Sequence, residues 1–147
     1  MKNDNNEKGK MKKIKLVIFD CYGVVLYGGY PPTMKALAER FGGDWKDYLK
    51  VFYTKYFNMA AEREITQKEA WVNAINEMGL DIDWKEVRDM HYGFMSRNEK
   101  IFSLVDKLKK KCDVLLLSKN TPEQFNDTDK ILNFAKHFDC VINTWDL

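Results

Sequence analysis

The chain has 147 residues, a formal net charge of +2 and a 45% hydrophobic share. That length suits one domain or a small core with an insertion, and the apolar share is enough to bury a core, so global disorder is excluded. The near-balanced charge supplies no basic field for nucleic acid, and no nucleic-acid partner is expected.

Residues 1–10 read as a solvated tail rich in Lys and Asn. The apolar run that follows, Ile14 to Leu26, is interrupted by Asp20 and is too short to span a bilayer, so neither a membrane segment nor a secretory leader is expected. Within it, Ile14 to Phe19 (IKLVIF) has the branched, apolar character of a parallel strand buried on both faces. Asp20 ends this strand, Gly23 permits a tight turn, and Val24 to Tyr27 can form a second short extended piece. Gly28, Gly29 and the Pro31–Pro32 pair break it.

From Thr33 to about Arg97 the pattern is helical. Met34, Leu37, Ala38 and Phe41 recur at helical spacing before Gly42 and Gly43. Asp44 can cap the next helix, with the stripe Trp45, Tyr48, Leu49, Phe52 and Tyr56. Thr66 and Glu69 form a capping box ahead of Trp71, Ala74, Ile75 and Met78. Asp83 with Glu86 marks a fourth start, before Val87, Met90, His91 and Phe94. Four short helices with short loops read as a small bundle whose aromatic stripe is mostly core.

The remainder returns to alternation. Ile101, Leu104, Val105 and Leu108 form a helix whose last turn carries Lys109, Lys110 and Lys111, a placement that complements the helix dipole. Val114 to Leu117 is a second buried strand ending in Ser118. Pro122 suits the start of another helix, expected to break near Asn126 to Asp129, and Cys140 to Thr144 is a third strand. Strands alternating with helices imply an α/β fold with a doubly wound parallel sheet, and ligands bind outside the carboxyl ends of such strands. Asp20 and Ser118 both fall at those ends. Cys21, Cys112 and Cys140 match no zinc spacing and read as reduced thiols in a cytoplasmic protein; His91 and His137 read as structural.

Two segments carry a resemblance. LVIFDCYGVV, from Leu16 to Val25, and VLLLSKNT, from Val114 to Thr121, resemble the first and second motifs of the haloacid dehalogenase (HAD) superfamily, and the helices between them resemble its helical cap. The resemblance covers nearly all of residues 14–147. It implies a Rossmann-like core formed by residues 11–27 and 98–147, here only its N-terminal part, with a helical cap over 28–97. It further implies that Asp20 is a nucleophile forming a covalent aspartyl intermediate and that Ser118 holds the transferring group. Tyr22, Lys119 and Asn120 are expected to line the substrate site, and Arg63 to face it from the cap. In the phosphatase branches the resemblance implies Mg2+, held by the Asp20 carboxylate and the Tyr22 backbone carbonyl.

Tyr22 departs from the phosphatase pattern, which usually places an acidic proton donor at that position. The cap resembles small sugar-phosphate phosphatases, so a small phosphate ester is the expected substrate. Tyrosine here also fits 2-haloacid dehalogenation, since halide leaves without a proton, although no arginine follows the first motif. The superfamily's third motif, a lysine, and its fourth, an acidic pair, normally follow the third strand, and Leu147 comes where that segment would begin. The chain is therefore expected to be inactive as it stands, as a fragment or as a non-catalytic binding domain. Its first strand is expected to lie at an edge and to recruit a second copy.

Overall fold

The computed structural model describes residues 13–147; the expected tail at 1–10 lies outside the described residues. Strand β1 (Leu16–Asp20) opens the fold. A tight turn follows, closed by the Gly23 N–H donating to the Leu26 carbonyl at 2.8 Å, with Gly23 at φ 87° in the region that favours glycine. The chain then leaves the sheet through a short strand, β2 (Leu26–Tyr27).

The inserted helices come next. Helix α1 (Tyr30–Phe41) starts on its proline pair, because proline is tolerated where the first N–H groups have no helical partner. Helix α2 (Trp45–Leu49), capped by Asp44, runs without a break into a π-helical segment, Lys50–Phe57, and then into α3 (Asn58–Ala61). Helix α4 (Gln67–Glu77) carries the expected capping box of Thr66 and Glu69. Helix α5 (Trp84–Gly93) is capped by Asp83. Met34, Leu37, Tyr48, Phe52, Trp71 and Val87 pack into one apolar cluster that belongs to this insertion.

The chain returns at β3 (Ser96–Arg97), which pairs antiparallel with β2. Exit and return are pressed together, since a Cβ at Gly28 would stand 1.9 Å from the Phe94 carbonyl oxygen. Helix α6 (Glu99–Leu108), strand β4 (Asp113–Ser118), helix α7 (Pro122–Leu132) and strand β5 (Cys140–Asn143) complete the core. Helix α7 does not break near Asn126; it runs on until Asn133 turns left-handed at φ 51°.

The sheet is parallel, in the order β1–β4–β5. Its register sets Asp20 beside Leu117, so the first and second motifs end at the same edge of the sheet. Side chains alternate between faces. On one face Phe19, Val114 and Leu116 pack against Phe102 and Val105 of α6 and Phe125 of α7. On the other, Leu16 and Ile18 are 47% and 55% exposed. Strand β1 was expected to be buried on both faces; among the described residues it is an edge strand covered on one. Its apolar alternation is complete, but the described helices lie on the face of Val17 and Phe19.

Candidate active site

A cavity of about 490 Å3 opens at the carboxyl ends of β1 and β4, between the sheet and the inserted helices. Asp20, Tyr22, Lys119 and Asn120 line it from the core. Tyr30, Leu49, Tyr53, Phe57, Asn58 and His91 line it from the insertion. Asp20 is solvent-exposed at the end of its strand, as a reacting carboxylate must be. Among the described residues Lys119 brings the one cationic side chain of the lining, and it is held at 2.9 Å by Glu62 at the end of α3. This ion pair bridges core and insertion at the cavity mouth.

Ser118 is placed differently from its neighbours. It is 1% exposed and stands behind the wall, where its Oγ accepts from Asn120 Nδ2 at 3.3 Å and lies beside the Cys21 thiol. Burial pushes that thiol well above its ordinary value, and the adjacent Asp20 charge adds to the shift, so Cys21 stays protonated and inert. The Asn120 N–H donates to Asn143 Oδ1 at 3.2 Å, which ties the loop after β4 to the end of β5. Thus Lys119 and Asn120, rather than the Ser118 hydroxyl, face the cavity.

Tyr22 lines the cavity but turns its hydroxyl into α7, toward the Gln124 carbonyl at 3.3 Å and Thr128 Oγ1 at 3.4 Å. Burial pushes its phenol far above the usual range, so it does not give up a proton at neutral pH. Arg63 does not face this cavity. At φ 68° it turns away from α3 and donates to the backbone carbonyls of Thr144, Trp145 and Leu147, lining a separate pocket of about 260 Å3. An arginine at a left-handed turn ending a helix reaches out along the direction of that turn, and here the carbonyls of the final 3-10 turn meet it.

His91, expected to be merely structural, is a cavity residue that sequence reasoning missed. It sits at one end of a buried relay of hydrogen bonds from core to insertion. The Gln124 backbone N–H donates to Thr121 Oγ1, and the Thr121 hydroxyl donates to Gln67 Oε1, both at 3.2 Å. Gln67 Nε2 then donates to Gln124 Oε1 at 3.2 Å, and Gln124 Nε2 donates to His91 Nε2 at 3.0 Å. Each amide has one oxygen and one nitrogen, so this direction fixes His91 as the tautomer protonated on Nδ1. Burial lowers its pKa from 6.5 to about 3. The ring is therefore neutral, and its Nδ1 has no partner among the described residues.

As for magnesium, the donor set is thin. Asp20 is the one carboxylate lining the cavity, and among the described residues no three His, Cys, Asp or Glu side chains cluster to hold a metal. Mg2+ demands near-octahedral oxygen ligation, which one carboxylate and a backbone carbonyl do not make by themselves. Among the described residues no helix is long and apolar enough to cross a membrane.

No protein-family model matches the sequence, and no curated protein matches it. Solved structures do match the fold. An L-2-haloacid dehalogenase from Xanthobacter autotrophicus, with chloropropionic acid covalently bound, aligns with TM-score 0.61 at 19% identity over 90% of this chain. A HAD family enzyme from Bacteroides thetaiotaomicron, in a magnesium complex, aligns with TM-score 0.69 at 18% identity over 92% of this chain. A predicted HAD-like family hydrolase from Porphyromonas gingivalis aligns with TM-score 0.65 at 18% identity over 92%. The chain spans 58% of the length of the dehalogenase, and 70% and 68% of the other two. With its parallel sheet, its helical insertion after the first strand and its cavity between them, the chain has the fold of the HAD-type hydrolases.

Proposed function

We propose that this chain carries the nucleophile and the substrate cavity of a HAD-type hydrolase acting on small phosphate monoesters. The observation that carries the reading is the position of Asp20: an exposed carboxylate at the carboxyl end of β1, in the mouth of a cavity that Lys119 also lines. In that role an Asp20 oxygen attacks phosphorus, the P–O bond to the leaving group breaks, and water then attacks the aspartyl phosphate to release inorganic phosphate. Lys119 supplies positive charge to the anionic ester. Magnesium belongs to this reading as an expectation supported by the Bacteroides enzyme, which was solved with magnesium and inorganic phosphate.

A second reading, 2-haloacid hydrolysis by the same carboxylate, is favoured by Tyr22. Its phenol cannot protonate a leaving group, and halide needs no proton. Against it, among the described residues the insertion brings no cationic side chain into the cavity lining to hold the acid's carboxylate.

The test is phosphate release from a panel of monoesters with magnesium, set against chloride release from 2-chloropropionate without it. Where the panel detects turnover, Asp20→Asn is expected to lower it by several orders of magnitude. Detected turnover that stays within tenfold after this substitution sinks the nucleophile assignment.

A further inference from the structure

The walls of the cavity differ from its floor. Every charged side chain in the lining comes from the core, as Asp20 and Lys119. The insertion contributes an apolar wall built on three rings in mutual contact. Tyr30 lies 5.0 Å from Tyr53 and 5.1 Å from Phe57 between centroids, and Tyr53 stacks on Phe57 at 5.8 Å with an interplanar angle of 18°. Leu49 and Met95 extend this wall.

The backbone explains how one helix presents it. Leu49, Tyr53, Phe57 and Ala61 all line the cavity and are spaced every four residues. In a continuous α-helix that spacing drifts about 40° per step, or about 120° over the three steps, which would carry Ala61 off the face. The π-helical segment Lys50–Phe57 takes more residues per turn through its i→i+5 bonds, and cancels that drift. The π segment thus aligns Tyr53 and Phe57 on the cavity.

Apart from the Tyr30 and Tyr53 hydroxyls at the ring edges, polar capacity around this wall is small. Both amide atoms of Gln124, on the core side, are used in the relay, and Asn58 Nδ2 already donates to the Thr54 carbonyl at 3.0 Å. A sugar would bury several hydroxyls here with few partners, each at a cost. A flat apolar group would instead stack on Tyr53 and Phe57.

We propose that this wall selects an aryl group: the substrate is the monoester of an aromatic alcohol, with its ring against Tyr30, Tyr53 and Phe57 and its phosphate toward Asp20 and Lys119. This rests on the phosphate-ester reading above and narrows the expected sugar phosphate to another class. The chemistry of the site is consistent with it. Tyr22 and Tyr30 are pushed upward by burial, and His91 is held neutral, so none of the three donates a proton at neutral pH. An aryl oxygen leaves as a phenolate, taking the electron pair of the broken P–O bond, and is protonated afterwards by water. Alkyl and sugar alkoxides are far more basic and need an acid.

The experiment is calorimetric titration of the 147-residue chain with phenyl phosphate, glucose 6-phosphate, phosphocholine, inorganic phosphate and 4-methylphenol. Phenyl phosphate is expected to bind at least tenfold more tightly than glucose 6-phosphate or inorganic phosphate. Tyr53→Ala should weaken it about five- to tenfold, while Tyr53→Phe should stay within about twofold. Tyr53 is half-exposed, so neither change threatens the fold. Equal or tighter binding of glucose 6-phosphate or phosphocholine overturns the proposal, as does failure of both aryl ligands to bind. The two readings fail separately. If 4-methylphenol binds with the same Tyr53 dependence and phosphate adds nothing, the aryl wall stands and the ester reading falls. If glucose 6-phosphate binds and the aryl ligands do not, the ester reading stands and the aryl wall falls.

Discussion

The two faces of the three-stranded sheet are built from equally apolar residues and are treated in opposite ways. Leu116 and Leu117 are consecutive in β4; the first is wholly buried and the second is 37% exposed. Leu116 stands under α6 and α7 in the same cluster as Phe19 and Phe102, while Leu117 shares its face with Leu16 and Ile18. The difference shows that a strand's composition does not say how many of its faces a given stretch of chain covers. That depends on which side the crossover helices take. Two right-handed crossovers moving in one direction across a parallel sheet put both helices on the same side.

The contrast can be broken by substitution. Leu116→Ala should destabilise the chain by about 2–5 kcal/mol, because it removes buried methyl groups and leaves a cavity beneath two helices. Chemical denaturation with an unchanged m-value measures it. A loss at Leu117→Ala equal to that at Leu116→Ala would mean that the open face is covered in solution, and the comparison would collapse.

Next in size is an acid-sensitive contribution from the insertion, where it meets α7 of the covered side. His91 keeps its ordinary value of 6.5 when unfolded and about 3 when folded. Between those values the unfolded state binds the extra proton, so the contribution is fully present above about pH 6.5 and is lost as pH falls toward 3. Its limiting slope is about 1.4 kcal/mol per pH unit. Denaturation midpoints should fall from pH 6.5 to 4.5, and His91→Gln should reduce that fall. His137 is shifted in the same direction but is only partly buried, and contributes less. A midpoint independent of pH over this window would show that His91 is not buried as described.

Smaller again is the relay. Gln124→Leu keeps the volume of the side chain but leaves His91 Nε2 unpaired and Gln67 Nε2 with only the Tyr92 hydroxyl at 3.4 Å, at about 1–3 kcal/mol. Because the relay joins α7 to α4 and α5, the loss should appear as faster hydrogen exchange in the insertion as well as in α7. Protection unchanged in α4 and α5 would show that the insertion does not depend on this tie. Smallest is Leu117→Ala itself, expected within about 1 kcal/mol, as for other partly exposed positions.

Much of this arrangement was legible in the sequence because it is local. Asp44, Thr66 and Asp83 announce their helices through caps that need only the next three residues. The strand cores and Asp20 at a strand end follow from apolar runs and the motif around them. The π-helical segment was not legible: Lys50 to Phe57 has an ordinary helical composition, and what distinguishes it is tertiary, with Phe52 against Trp71 of α4 and Phe57 against Tyr30 of α1. For the same reason Tyr30 and Tyr53 did not stand out as cavity residues, and the aromatic stripe read as bundle core. Arg63 was misplaced because its direction depends on a left-handed turn at its own position. His91 gave no signal in the sequence, since its role comes from Gln67 and Gln124, which lie 24 and 33 positions away.

The ribbon of β2 and β3 has a consequence for how the sheet assembles. Parallel pairing of β1 with β4 joins Asp20 to a strand that starts at Asp113, so an unstructured connection would close a loop of about 93 residues. The insertion leaves at Tyr27 and returns opposite it at Ser96, with Gly28 against Phe94. Once its own apolar cluster forms, the remaining slack is only the 20–27 and 96–113 segments, about 24 residues. Closing the shorter loop saves roughly 1 kcal/mol of chain entropy. The helices that wall the cavity thus act first as a splint, shortening the search by which β1 and β4 find their register.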